Sequence, residues 1–397
     1  MLRVIMAWKE FELRNLIIFL FGGLLRVTLG IWLKLVYNIK AFNEPVKNMP
    51  GPFLLVGNHC LNWDPFITGL YIKPNTRFIA SDSLFRDKAV AFMLTYLVGA
   101  IPKKKAVSDL KTIKLSMKEL KKGHVVGVYP EANRTWNGRS IDILFSTAKF
   151  AKLMKVPVVN CVMKGGYLSR PRWAVRGRKG ILELHYEVLF TKEEVKKKSV
   201  DEIYTVLNNA IQYNEFDWQK DRMIPYKSKR QAEFLENYLY ICPQCRKIGT
   251  MVSDRNEFRC NACGLAHTMG DYGYFINDIR KFENPQEWGD WQAGRFKEIV
   301  NTDEVIYSDS AVLYGENERN SLYIVDDGKL SLYKDRIVFT SKKLGRTFFI
   351  SEIFGNTIQL NYIFDFYYKG DFVRLRFLPK NRASAFKWNY AVDHLKD

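Results

Sequence analysis

Short apolar runs that end in polar turns constrain this chain most. Phe53-Leu54-Leu55-Val56 leads into Gly57-Asn58-His59-Cys60-Leu61-Asn62-Trp63-Asp64-Pro65. Gly123 to Tyr129 leads into Pro130-Glu131-Ala132-Asn133-Arg134, and Val156-Pro157-Val158-Val159 is a third run of the same kind. Such runs read as strands buried on both faces. Phe78-Ile79-Ala80 and Gly180 to Val188 read as further strands. Between them lie helical patterns: a start at Phe66 to Ile72, then Ala89 to Val98, Asp109 to Lys122 and Ser146 to Lys155. Asp109 to Lys122 carries Leu110, Ile113, Leu115, Met117 and Leu120 among lysines, with Gly123 as its C-terminal cap. This alternation over residues 40–215 predicts an α/β sheet flanked by helices. In such sheets ligands and catalytic groups gather at the strand ends.

Two of those strand ends carry chemistry-bearing residues. His59 and Asp64 are five residues apart, with Pro65 closing the turn, so a carboxylate can fold back onto an imidazole. A carboxylate on one ring nitrogen fixes the tautomer and raises the basicity of the other, as a general base requires. The same letters also suit a capping or buried polar turn. The second strand end brings Glu131 and Arg134. Before it, Gly99-Ala100-Ile101-Pro102 approaches Lys103-Lys104-Lys105.

These blocks, in this order, resemble the glycerolipid acyltransferase family, whose best-known members acylate lysophosphatidic acid. The resemblance covers about residues 40–215. It implies direct acyl transfer from a thioester, acyl-CoA or acyl carrier protein, to the hydroxyl of a lysophospholipid acceptor. His59 would then take the acceptor's proton and Asp64 would orient the imidazole. Glu131 and Arg134, in Pro130-Glu131-Ala132-Asn133-Arg134 where the family has Pro-Glu-Gly-Thr-Arg, would help hold the phosphorylated glycerol. Lys105 stands where the second block commonly ends in arginine, and meets a phosphate as a point charge rather than a fork. Ala132 replaces the usual glycine, Asn133 the threonine, and Leu61 the serine of many relatives. These departures leave open another lysophospholipid or glycerolipid acceptor, or a non-catalytic membrane- or protein-binding scaffold. Cys60 beside His59 has two readings, an acyl-carrying nucleophile or an ordinary buried cysteine. No catalytic metal or organic cofactor is expected.

The charge is uneven. Residues 1–235 hold 39 Lys and Arg against 20 Asp and Glu, the whole net charge of +19, whereas residues 236–397 hold 22 of each. A field of that sign gathers anions, such as an anionic membrane surface, acyl carriers or nucleic acid. Residues 1–40 are apolar with scattered bases. Their charge-free runs fall short of the ~20 residues that a spanning helix needs. They read as one or two interfacial amphipathic helices, broken at Gly22-Gly23, with Trp8, Trp32 and Tyr37 near the headgroups. An ordinary packing helix is the alternative. The expectation is a peripheral or monotopic protein on the cytoplasmic face of a membrane.

Cys242-Pro-Gln-Cys245 and Cys260-Asn-Ala-Cys263 form two knuckles with metal-ligand spacing, and 246–259 is long enough for a hairpin. The pattern resembles a zinc ribbon with a closed structural zinc site, with disulfides the alternative in an oxidising compartment. Nucleic acid is disfavoured as a partner, because this region adds no net positive charge. Glu287 to Val300 is helical in pattern. From Ala311 the chain is strand after strand, closed by a helix over Ala383 to Lys396. That order resembles a pleckstrin-homology or GRAM-like domain, able to dock on lipid or protein or to pack inertly. The organisation expected is membrane-associating helices over 1–40, an acyltransferase domain over 41–235 with a charged linker at 219–232, a ribbon over 236–270, a linker helix over 271–300 and a β domain over 301–397.

Overall fold

A computed structural model describes residues 23–24, 27–103, 109–276, 282–317, 321–378 and 383–396. They divide into two compact units. The first runs to Ser169 and resumes over Lys179–Ile224, and the second comprises Arg170–Arg178 and the chain from Pro225 onward.

The first unit is built on a seven-stranded mixed sheet. Its strands are β1 (Asn38–Phe42), β2 (Leu54–Gly57), β3 (Thr76–Ser81), β4 (Ile101–Lys103), β5 (Val125–Val128), β6 (Val158–Lys164) and β7 (Ile181–Phe190). The spatial order is β1-β7-β6-β2-β5-β3-β4. β6, β2, β5, β3 and β4 run parallel. β7 joins antiparallel to β6, and β1 lies parallel to β7. The apolar run before His59 is therefore the central strand. Phe53, Leu54, Leu55 and Val56 are at most 2% exposed, and burying each such side chain contributes about 1.5–3 kcal/mol. Leu55 and Leu54 point into different clusters on the two sides of the sheet, so both faces are covered as the unbroken apolar run requires.

The helix Leu110–Lys121 is capped by Asp109, whose carboxylate accepts the backbone N–H groups of Lys111 and Thr112. Gly123 follows it in the left-handed conformation at φ +79°. Its packed face differs from the apolar pattern: Thr112, Ser116, Glu119 and Leu120 are buried, while Leu110 and Met117 are exposed. The helix expected over 89–98 is Lys88–Phe92, continued by a wider π turn over Met93–Val98. The charged stretch expected to be a linker opens inside a helix, Glu215–Arg222.

Residues 27–36 are helical, but the expected helical segment stops short of residue 40, since Asn38–Phe42 pairs with β7. Tyr37 is 4% exposed and packs in the core with Leu33, Val46 and Phe53, not at a surface. Trp8 lies outside the described residues. No helix among the described residues is long and apolar enough to cross a membrane.

The second unit holds a four-stranded antiparallel ribbon of β8 (Met251–Asp254), β9 (Glu257–Cys260), β10 (Ala266–Met269) and β11 (Phe275–Ile276). The helix Pro285–Ile299 binds the strand-like approach to the first cysteine. Gln292 Oε1 accepts the N–H groups of Tyr240 and Ile241, and Trp288 Nε1 donates to the Ile241 carbonyl. A second sheet follows: β12 (Tyr307–Glu316), β13 (Leu322–Leu332), β14 (Arg336–Thr340), β15 (Gly345–Phe349), β16 (Ile353–Gln359), β17 (Ile363–Tyr368) and β18 (Asp371–Phe377). All pairings are antiparallel, in the order β15-β14-β13-β12-β18-β17-β16. The C-terminal helix Ala385–His394 buries Trp388 against this sheet's core.

Candidate active site

His59, Asp64 and Glu131 come together where β2 and β5 end. β2 passes into a turn fixed by Asn58, whose side-chain amide both donates to the Met163 carbonyl and accepts the Met163 N–H on β6. Beyond it, His59 Nδ1 lies 2.7 Å from Asp64 Oδ2. Asp64 opens the short helix Asp64–Gly69 and is fully buried. Its Oδ2 also accepts the backbone N–H groups of Cys60 at 2.7 Å and Leu61 at 2.9 Å, and Oδ1 accepts Leu61 N–H at 2.9 Å. The carboxylate is thus held by the turn that carries its partner. The imidazole can move against it only if the whole turn moves. The imidazole itself is partly exposed, its side chain 21% accessible.

Glu131 arrives from the end of β5 and is buried. Oε1 accepts the His59 N–H at 2.8 Å and Oε2 the Ile141 N–H at 3.1 Å. Burial pushes its carboxyl up to about 8, against the pull of those two N–H groups. The His59 carbonyl accepts the Thr135 N–H at 2.9 Å. The loop 131–135 therefore grips both backbone groups of His59. Ala132 in that loop is left-handed at φ +60°, the conformation a glycine would adopt without strain. Arg134 is partly exposed. Its charge acts on Cys60, lowering that thiol's pKa against the larger opposing effects of burial, Asp64, Glu215 and Glu131. The thiol is held well above its ordinary value, and Cys60 is 3% exposed. Leu61 is likewise buried in the core. Lys103 ends β4, and Lys105 lies outside the described residues.

Two site residues escaped the sequence reading. Tyr129 stacks on the His59 ring, with centroids 4.6 Å apart and planes 17° from parallel. Thr68, one turn beyond Asp64, lies 2.9 Å from the Tyr129 hydroxyl. Nothing in the sequence marked either one, because an aromatic at the end of an apolar strand reads as core. A third, Glu215, is fully buried at the start of its helix. It accepts the Leu168 N–H at 3.3 Å, and burial pushes its carboxyl up to about 8.

In the second unit Cys242, Cys245, Cys260 and Cys263 bring their sulfurs within 4.8 Å of one another, and none is in a disulfide. The two knuckles share one geometry. Arg246 N–H donates to the Cys242 carbonyl and Gly264 N–H to the Cys260 carbonyl, and both residues are left-handed at φ +60° and +76°. Cys260 is buried, which raises its pKa, but the Thr250 hydroxyl and the N–H groups of Ala262 and Cys263 outweigh this and lower it to about 6. A closed set of four convergent thiol donors, supported by N–H and O–H groups, fits a tetrahedral metal ion.

Residues 38–164, about a third of the chain, match the Acyltransferase family model. Both strand ends of the site lie inside that span, so the first unit carries an acyltransferase domain of mixed α/β structure. Among solved structures, the chain is similar to the 1-acyl-sn-glycerophosphate (LPA) acyltransferase PlsC of Thermotoga maritima. That likeness has 17% identity and a TM-score of 0.40, and covers 53% of this chain and 78% of the other. No curated protein matches the chain.

Proposed function

We propose that the first unit transfers a fatty acyl group from a thioester, acyl-CoA or acyl carrier protein, to the free hydroxyl of lysophosphatidic acid, giving phosphatidic acid. The observation that carries this reading is the 2.7 Å contact between His59 and buried Asp64, inside the span that matches the acyltransferase model. With Nδ1–H held by Asp64, Nε2 takes the proton as the acceptor oxygen attacks the thioester carbonyl. The tetrahedral intermediate then collapses with cleavage of the C–S bond, and Nε2 returns the proton to the departing sulfur. Holding the two substrates in line supplies much of the rate without a covalent enzyme intermediate. The buried, strongly protonated Cys60 speaks against an acyl-cysteine route. The proposed chemistry uses no metal or organic cofactor.

Arg134 and Lys105 are the proposed contacts for the acceptor's phosphate. Glu131 contributes at one remove, by fixing the His59 backbone. The acceptor reaches the site from a membrane surface. On the helix over 27–36, Val27, Ile31 and Leu35 form an exposed stripe with Trp32 and Val36 beside it. Trp32 touches Trp63 edge-on, with ring centroids 5.2 Å apart, so that stripe adjoins the turn carrying Asp64. The lysine at 105 and the replacements at 61 and 132 favour, as a second reading, the same chemistry on another lysophospholipid. The four cysteines are proposed to hold a structural zinc. The second sheet with its C-terminal helix is proposed as a PH- or GRAM-like module.

The test is an acyl-transfer assay on the full chain in anionic vesicles. Lysophosphatidic acid and other lysophospholipids are offered with acyl-CoA or acyl carrier protein, beside His59→Ala. Product from the wild type and none from a folded variant supports the reading, and the best acceptor names the substrate. Equal product from both refutes His59 as the base. No product with any acceptor returns the protein to the scaffold class.

A further inference from the structure

The imidazole of His59 is held at its edge by Asp64, and the structure holds its face as well. The Thr68 hydroxyl donates to the Asp64 carbonyl at 2.8 Å. The Tyr129 hydroxyl, 2.9 Å from Thr68 Oγ1, is therefore the donor in that second contact. The Tyr186 hydroxyl on β7 in turn donates to the Thr68 carbonyl at 2.7 Å, tying the helix to the sheet. One short helix thus presents two side chains a turn apart. Asp64 grips His59 directly, and Thr68 grips Tyr129, whose ring lies against His59. Tyr129 also stacks with Phe78, with centroids 5.7 Å apart and planes 8° from parallel. That contact depends on Gly127: a Cβ there would sit 2.3 Å from the Phe78 ring. The result is a stack of Phe78, Tyr129 and His59, built over a glycine and closed into a loop by hydrogen bonds.

We propose that Tyr129 and Thr68 are positioning residues for His59. Tyr129 fixes the plane of the imidazole, and Thr68 fixes Tyr129, so that the ring edge opposite Asp64 keeps one direction through each turnover. The stack has an electrostatic consequence too. An aromatic face attracts a cation, so Tyr129 stabilises the imidazolium that forms when His59 takes a proton. This inference rests on His59 acting as the base. Its experiment therefore includes a readout that does not need turnover.

That experiment uses the full chain with Tyr129→Phe, Tyr129→Leu, Thr68→Val and the Tyr129→Phe/Thr68→Val double variant. Activity is read with lysophosphatidic acid and acyl-CoA in anionic vesicles. The His59 ring titration is read by NMR, assigned against His59→Gln. The charged and titratable groups around the His59–Cys60 turn, namely Asp64, Glu131, Glu215, Cys60 and Arg134, are the same in every variant. A shift therefore reports the stack. Tyr129→Leu is expected to lower kcat by roughly 10- to 100-fold with KM within about threefold, and to lower the ring's titration midpoint by about half to one pH unit. Tyr129→Phe and Thr68→Val keep the stack. Each should lose a smaller share of kcat, Thr68→Val the larger of the two because it also removes the bond to the Asp64 carbonyl. The double variant should lose no more than Thr68→Val alone, since all three break the Tyr129–Thr68 bond. An unchanged midpoint and kcat in Tyr129→Leu overturns the proposal, as does full additivity of the two hydroxyl-side variants. If His59→Ala stays active, the base assignment fails, whereas the midpoint in Tyr129→Leu still decides whether the stack holds the ring.

Discussion

Replacing Asp64 by asparagine tests how the site uses its carboxylate. Among the described residues, Oδ2 accepts from His59 Nδ1, Cys60 N and Leu61 N, and Oδ1 from Leu61 N. An asparagine amide will therefore put its oxygen at the Oδ2 place, keeping three contacts, and turn its NH₂ toward the Leu61 N–H. Geometry and tautomer survive, and what is lost is the charge facing the imidazolium. At a charge separation of ~3.5 Å and an effective dielectric of ~20, that charge contributes about 4–5 kcal/mol. The expected result is a fall in kcat on the order of 10³-fold, with KM little changed. The Leu61 N–H loses one of its two acceptors, so stability should drop by about 0.5–1.5 kcal/mol. Release of free thiol from acyl-CoA measures the rate, and urea denaturation the stability. A variant that turns over at the wild-type rate would show that the carboxylate does no more than shape the turn. The base assignment would then lose its electrostatic half.

Other expectations follow from single observations. Ala132→Gly relieves a left-handed alanine, and should stabilise the protein by about 0.5–1 kcal/mol after the added freedom of the unfolded chain is counted; an unchanged urea midpoint would refute the strain. Glu215 has a carboxyl pushed to about 8 from an ordinary 4.5, so between those pH values the folded state keeps a proton that the unfolded chain releases. Its stabilisation is therefore present below pH 4.5 and lost as pH rises through 8, at about 1.4 kcal/mol per unit; Glu215→Gln should flatten that part of the stability profile, and an unaltered slope would exclude it as the source. Chelation or Cys242→Ser should remove one zinc per chain and lower the melting temperature of the second unit, whereas retained metal after Cys242→Ser would break the four-thiol assignment.

The sheet was legible because its central strands are buried on both faces, and such strands write themselves as unbroken apolar runs. β2, β5 and β6 all lie where Phe53 to Val56, Gly123 to Tyr129 and the run from Val156 indicate. Less legible was whatever depends on neighbours. β1 is a half-exposed edge strand, its pattern set by pairing with β7, and it passed for the end of an N-terminal helix. Tyr37, just before it, has the letters of an interfacial anchor and is buried in the core. The helix Leu110–Lys121 packs on the core through Ile113, Leu115 and Leu120, but also through Thr112 and Ser116, whose hydroxyls bond to the Pro102 and Thr112 carbonyls. Leu110 and Met117 stay exposed, so its apolar residues mark the inside face only in part. The two cysteine knuckles were readable from spacing alone. Their matched left-handed turns at Arg246 and Gly264 were half visible, since glycine announces such a turn and arginine does not.

Glu131 marks the limit of reading chemistry from letters. A glutamate three residues before an arginine, at the end of a strand beside the turn that carries His59, reads naturally as part of an acceptor site. Its carboxylate is buried instead, and each oxygen accepts a backbone N–H, one of them that of His59. A sequence cannot separate a carboxylate that touches substrate from one that holds the residue that does, because both need the same strand end and the same side chain. The two roles differ in what glutamine does. In a substrate contact, glutamine weakens acceptor binding and raises KM. Here one of two buried N–H groups would face an NH₂ at a cost of about 1–3 kcal/mol, and the His59 turn would loosen. Glu131→Gln should therefore lower kcat together with the melting temperature while KM for the lysophospholipid holds. A rise in KM alone, with stability unchanged, would restore Glu131 to the acceptor site.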